Sequence, residues 1–283
     1  LQQLIEAGHQ VTAWSGSEAG SRQGLALVPV DLADPARTAS ELAAADPELI
    51  IHAAAISSTE VVRKDLERGR AVNTQGTARL AEWCAEHGRR IVYTSTDLVF
   101  DGSRSWYREE DPAVPVLAYG RSKRAAEPSV LAAPRGLVAR VSLMFGPSRS
   151  GRESYFDRTI AALRRGEPQT LFEDEFRTPL DLYSAAALLV RLAESDTCGL
   201  IHVAGSARVS RYELVRRVAL ALGIDPGLVR ANRQADAQFP EPRPADVSLD
   251  TSRLAATFSE DRRLTIEEGV KRMMAEATGT HAC

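Results

Sequence analysis

Cysteine is scarce in these 283 residues: Cys84, Cys198 and Cys283 are the three. An odd number without a paired spacing excludes a disulfide framework and a cysteine-built metal site. His9, His52, His87, His202 and His281 are scattered, so no ligand cluster is legible and no metal is expected. No apolar run reaches the roughly 20 residues of a bilayer-spanning helix, and no secretory leader pattern is present. Excess charge is lacking too. The net charge of −3 gives no footing to a nucleic-acid or membrane-surface partner, and the pairs Arg89-Arg90, Arg164-Arg165 and Arg262-Arg263 read as solvated faces. A reducing cytoplasm is the expected setting. One more absence bears on function. A dinucleotide-binding sheet opens with a strand and a Gly-rich turn, yet Leu1 to Gly8 reads as the end of a helix. About 20 residues, the usual strand and turn of such a unit, are expected to be missing ahead of it.

What is present is ordinary for a globular α/β chain: 44% hydrophobic and 26% charged residues. Strands are predicted at 10–14, 25–30, 48–52, 91–95 and 137–143. Helices are predicted at 35–45, 72–87 and 119–131, with Pro128 as a kink or an end of the last. This alternation implies a Rossmann-like, doubly wound parallel sheet, with ligands beyond the carboxyl ends of its strands. The pattern loosens after Gly146. Residues 1–146 are therefore expected to form a dinucleotide-binding domain. Residues 147–283 are expected to form a smaller substrate-selecting lobe, with some segments returning to the sheet.

Tyr119 and Lys123 lie one helical turn apart and so share a helix face. An ammonium beside a phenol favours the phenolate and is expected to lower the Tyr119 pKa toward neutrality. Thr96, at a strand end, is placed to hold the same oxygen. This is acid–base equipment for exchanging a proton with a carbonyl or alcohol. Cofactor choice rests on the turn after the second strand. Ser15 and Ser17 leave room for a 2′-phosphate and Arg22 could reach it, which favours NADP over NAD; the serines also suit a plain turn.

Several stretches resemble the dTDP-4-dehydrorhamnose reductases of the extended short-chain dehydrogenase/reductases. Ser95-Thr96-Asp97-Leu98-Val99-Phe100-Asp101-Gly102 is similar to their S-T-D-x-V-F-D-G, and Tyr119-Gly120-Arg121-Ser122-Lys123 with Glu127 to their Y-G-x-[ST]-K-x-x-x-E. Ile51 to Ala55 with Ala71-Val72-Asn73, Arg140 to Gly146, and Arg243 to Asp250 match further motifs in the right order. The resemblance implies Tyr119 as general acid, Lys123 as its tuner and holder of the nicotinamide ribose, and Thr96 as a hold on the carbonyl. It implies cofactor contacts at Asp31, Leu32, Ala53, Ala54, Ala55 and Asn73, and substrate contacts at Asp97, Ser142 and Phe145. The expected activity is reduction of the 4-keto group of a nucleotide-linked deoxysugar by NADPH or NADH, with a homodimer as one open arrangement. Leu98 stands where the family usually has Tyr, Arg152-Glu153-Ser154-Tyr155-Phe156 replaces an N-F pair, and Arg177 replaces a small residue. Arg177 could hold a diphosphate or pair on the surface with Glu173 or Asp174. Two other readings stay open: a regulatory subunit like the beta subunit of methionine adenosyltransferase, and a nucleotide-sugar epimerase or dehydratase.

Overall fold

The computed structural model describes residues 1–148, 153–258, 260 and 263–277; Arg152, Arg262, His281 and Cys283 lie outside them. In chain order the elements are α1 (Gln2–Glu6), β1 (Ala13–Ser15), β2 (Gly20–Arg22), β3 (Leu25–Pro29), α2 (Pro35–Ala45), β4 (Leu49–His52), α3 (Thr59–Lys64) and α4 (Leu66–Gly69). A π-helical stretch (Arg70–Gly76), α5 (Thr77–Glu86), β5 (Arg90–Thr96), α6 (Ala118–Ala132) and β6 (Gly136–Val141) follow. Then come β7 (Met144–Phe145), α7 (Tyr155–Arg164), β8 (Gln169–Phe172), β9 (Phe176–Arg177), β10 (Leu180–Asp181), α8 (Leu182–Glu194) and β11 (Gly199–Val203). The last are β12 (Val209–Ser210), α9 (Arg211–Ala221), β13 (Val229–Asn232), α10 (Ser252–Thr257) and α11 (Ile266–Ala277).

Two compact units emerge. The first comprises 1–99, 113–140 and 186–201, and the second comprises 100–112, 141–185 and 202–283. A single cut after Gly146 does not describe this division. The 100–112 segment belongs with the second unit, and most of α8 with the start of β11 returns to the first.

In the first unit, β11-β6-β5-β4 form one sheet and β1-β3-β2 another. Strand β4 runs parallel to β5, pairing Leu49 with Arg90 and His52 with Tyr93, and β1 runs parallel to β3. The unpredicted β2 is antiparallel to β3. Its turn residues Gln23 and Gly24 both have positive φ, 52° and 77°, the geometry of a two-residue hairpin. Helix α2 starts where the sequence signals it: Pro35 opens the first turn and the Asp34 side chain accepts from the Arg37 N–H at 3.0 Å. Leu32, Leu42, Leu80, Cys84, Ile91, Tyr93, Val130 and Val138 fill the core. Pro128 neither ends nor interrupts α6, which continues to Ala132. The buried face of Ala126, Glu127 and Val130 holds the helix across the missing N–H.

The second unit pairs β8 with β13 in parallel, β7 with β10 in parallel and β9 with β12 antiparallel. Its core gathers Phe145, Ile160, Leu163, Leu171, Leu214, Val218, Val229 and Val270. Among the described residues, no helix is long and apolar enough to cross a membrane. Nor does any group of three or more His, Cys, Asp and Glu side chains there suit a metal ion.

Candidate active site

In the first unit, the segments expected to carry chemistry follow the carboxyl ends of three strands. Asp31 and Leu32 follow β3, Ala53 to Ala55 follow β4, and Thr96 ends β5 with Asp97 next. Helix α6 brings Tyr119 and Lys123 to the same place by close backbone approach. A Cβ on Gly120 would lie 2.1 Å from the Leu98 carbonyl oxygen, so only glycine lets the helix sit against the strand end.

Thr96 and Asp97 both act on the Tyr119 hydroxyl. The Thr96 hydroxyl reaches Asp97 Oδ1 at 3.1 Å and accepts from the Leu98 N–H at 3.2 Å. The Tyr119 pKa is pushed up, first by burial and then by the negative charge of Asp97, with the Thr96 contact working against both. The sequence led us to expect the opposite shift. The correction has a geometric cause: the Lys123 ammonium lies 4.3 Å from the centre of the Tyr93 ring, and it is not among the groups that act on Tyr119. A phenol held protonated in this way is suited to donate a proton rather than to accept one.

Lys123 is itself buried at 2% exposure. Burial pulls its pKa down to about 7, against the raising effect of Glu127. His52, stacked on Tyr93 at 5.4 Å and bonded to the Thr77 hydroxyl at 2.8 Å, is held down to about 3 by burial and by Lys123.

Asn73 sits in the π-helical stretch, an irregularity often found at functional sites. Its Oδ1 accepts from the Ile56 N–H at 2.8 Å; its Nδ2 donates to the Ile56 carbonyl at 3.1 Å and to the Ser122 hydroxyl at 3.0 Å. It thereby ties the segment after β4 to the turn of α6 beside Lys123. Ala53 and Ala54 are exposed and small, and Ala55 is half-buried. Asp31 is engaged by Arg68, 2.9 Å from each carboxylate oxygen, and Leu32 is buried in the core. The Ser15 hydroxyl donates to the Glu18 carbonyl, and Arg22 pairs with the Glu18 carboxylate at 2.9 Å.

The second unit holds the remaining candidates. The Ser142 hydroxyl meets that of Thr178 at 3.4 Å, and Phe145 packs in the core with its ring 6.3 Å from Phe156. Arg177 does not pair on the surface with Glu173 or Asp174. Glu173 binds Arg233 at 2.8 Å, and Asp174 accepts from the Gln234 N–H at 3.0 Å. Arg177 is instead buried against Glu175 at 3.2 Å. Glu175 is also approached by Arg243 at 2.7 Å and Arg211 at 3.6 Å, while Arg208 holds Asp246 at 2.7 Å. The outer guanidiniums stack on rings: Arg208 on Phe176 at 3.7 Å, Arg211 on Tyr155 at 4.8 Å and Arg243 on Phe239 at 5.0 Å. Sequence reasoning named Arg177 and the stretch holding Arg243 and Asp246 but did not join them with Glu175, Arg208 and Arg211, because the members are scattered from 175 to 246.

The family model described as the RmlD substrate binding domain matches residues 1–278. A dTDP-4-dehydrorhamnose reductase of Mycobacterium tuberculosis is 31% identical over 247 residues, covering 84% of this chain and 79% of that protein. The crystal structure of a hypothetical dTDP-4-dehydrorhamnose reductase from Sulfolobus tokodaii superposes with a TM-score of 0.82 at 27% identity, covering 95% and 93% of the two chains. That of a Bacillus anthracis dTDP-4-dehydrorhamnose reductase, in complex with NADP, gives 0.81 at 21% identity, covering 90% and 91%. The chain therefore belongs to the RmlD substrate-binding-domain family, among the dTDP-4-dehydrorhamnose reductase-like members of the extended short-chain dehydrogenase/reductases.

Proposed function

We propose that this protein reduces the 4-keto group of a nucleotide-linked deoxysugar, with NADPH or NADH as the hydride source and Tyr119 as the proton donor. The observation that carries this reading is the Tyr119 hydroxyl, acted on by Thr96 and Asp97 and kept protonated by its surroundings. The phenol gives its proton to the carbonyl oxygen as that oxygen becomes an alkoxide, and Thr96 keeps the phenol aimed. A nicotinamide cofactor, when bound, would supply the hydride.

The residues present suit that cofactor. Ala53 and Ala54 are exposed methyl-sized side chains at a strand end, where a flat ring can lie without obstruction. Lys123 offers an ammonium to a ribose. Arg22 is the candidate for a 2′-phosphate, which would compete with Glu18 for its guanidinium, and Ser15 flanks it. This favours NADP. Asp31 and Leu32 after β3, Ala55 after β4, and Asn73, which is bonded to Ile56 after β4, remain candidates for further cofactor contacts.

For the substrate, the second unit offers two partly exposed guanidiniums. Arg208 pairs with Asp246 and Arg243 with Glu175. The stacked, partly exposed Arg208 and Arg243 are the groups assigned to an anionic diphosphate. Ser142, Phe145 and Asp97 remain candidates for sugar and base contacts. The experiment is direct: loss of NADPH absorbance on adding dTDP-4-dehydro-6-deoxysugars. Oxidation of NADPH with at least one of them is expected. A folded, cofactor-binding protein that oxidises none would overturn the reading.

A further inference from the structure

We propose that Glu127, clamped by Arg140 and Ser95, is a positioning residue. Its negative charge, one helical turn away, opposes loss of the Lys123 proton, and it ties the strand bearing Thr96 to the helix bearing Tyr119 and Lys123. The proposal rests on the reductase reading for its catalytic meaning.

Glu127 has no exposed surface and lies one turn beyond Lys123 in α6, as Lys123 lies one turn beyond Tyr119. The three side chains therefore follow one another along one helix face. The Glu127 carboxylate accepts from Arg140 Nε at 3.0 Å and from its Nη2 at 2.8 Å, a two-pronged pairing that fixes both oxygens. It also accepts from the Ser95 hydroxyl at 2.7 Å. Ser95 directly precedes Thr96 in β5, and Arg140 belongs to β6. One carboxylate thus joins β5, β6 and α6 immediately behind the proton donor. A buried pair is a costly way to fill a core, and its retention asks for a role beyond stability.

The groups facing Lys123 define that role. His52 approaches from β4 and is neutral; Tyr93 offers its ring from β5; Tyr119 and Glu127 come from the helix itself. Arg140 from β6 and Arg124 from the next helical turn reach Glu127. Among these groups Glu127 is the negative charge, and it opposes the effect of burial on the lysine. The chain places a lysine here although Lys64, Lys123 and Lys271 are its three lysines among 35 basic residues. An arginine could not give up its proton, whereas a buried lysine can, so its charge has to be maintained.

Three lysines make the test simple. Protein carrying 13C-lysine gives three ε-carbon signals, and Lys123→Arg assigns the one of interest. In the unsubstituted chain the Lys123 signal should inflect near pH 7, and the Glu127 carboxyl carbon should move at the same pH. In Glu127→Gln, which removes the negative charge and keeps Arg140, the Lys123 inflection should fall by about one pH unit or more, a tenfold loss of proton affinity. The alkaline limb of kcat should move down with it. A Glu127 carboxyl carbon that does not respond to Lys123 overturns the proposal without any variant. So does an unmoved Lys123 inflection in a folded Glu127→Gln protein. If the inflection moves while no keto sugar is reduced at any pH, the reductase reading fails and the coupling stands.

Discussion

Glu127 in the first unit and Glu175 in the second are both wholly buried, yet their surroundings differ in kind. Glu127 is gripped in two-pronged fashion by the buried Arg140, with Ser95 donating to one oxygen and the partly exposed Arg124 3.6 Å from the other. Glu175 gathers three guanidiniums within 3.6 Å, and Arg243 keeps about a third of its side chain, 35%, open to solvent. A two-pronged pair with a buried arginine can set the protonation of a neighbour and the fit of one helix to one sheet. A cluster with partly open, ring-stacked arginines can receive an anion. The first arrangement suits proton transfer; the second suits holding a phosphorylated substrate.

That contrast can be broken from either side. The largest effect is expected at Gly120, where α6 touches the strand end. Gly120→Ala pushes a methyl group into the Leu98 carbonyl, and thermal or denaturant unfolding should show a loss of more than about 4 kcal/mol. A loss under about 1 kcal/mol would mean that the close approach is not required.

Lys123 comes next. Its pKa of about 7 in the folded chain lies below the ordinary 10.5. Between those values the unfolded chain binds a proton that the folded chain does not, so stability rises with pH across that window. Below pH 7 both states are charged and the burial cost is present in full. Lys123→Met should therefore be the more stable protein at pH 7, by on the order of 3 kcal/mol, with the gain vanishing toward pH 10.5. Unfolding curves of both proteins across that range check the sign.

On the second unit the effect moves from stability to affinity. Arg208→Gln with Arg243→Gln should raise the KM for a nucleotide sugar by roughly 100-fold with kcat little changed, as expected for lost charge-assisted contacts. A kcat loss with constant KM would move those arginines out of the binding role. The smallest effect belongs to Thr96→Val, where the hydroxyl acting on Tyr119 is lost. A fall in kcat of roughly tenfold is expected from steady-state rates.

Legibility in the sequence followed the same division. Helix α2 was readable to the residue, because Asp34 and Pro35 are local start signals. So were β4, β5 and α6 to within a residue or two, since apolar runs and helical spacing set them. The hairpin strand β2 was not, because Gly20-Ser21-Arg22 carries no apolar alternation. Helices α3 and α4 were also missed; their short, highly charged spans bury little, and Asp65 caps the second of them. At the site, Thr96, Tyr119 and Lys123 were legible from spacing, whereas the direction of the Tyr119 shift was not. It depends on where the Lys123 ammonium goes, and Tyr93, thirty residues upstream, decides that. Of the two readings left open for Arg177, surface pairing with Glu173 or Asp174 is set aside for a similar reason: Glu175, two residues away, shares its strand face, while Glu173 and Asp174 are taken by Arg233 and Gln234.

The central claim is that Tyr119 donates the proton. Single-turnover oxidation of NADPH by a dTDP-4-dehydro-6-deoxysugar, compared between the unsubstituted protein and Tyr119→Phe, tests it most directly. The account predicts a fall of roughly 1000-fold in the rate, with sugar binding retained. A Tyr119→Phe protein that turns over at the unsubstituted rate would contradict it.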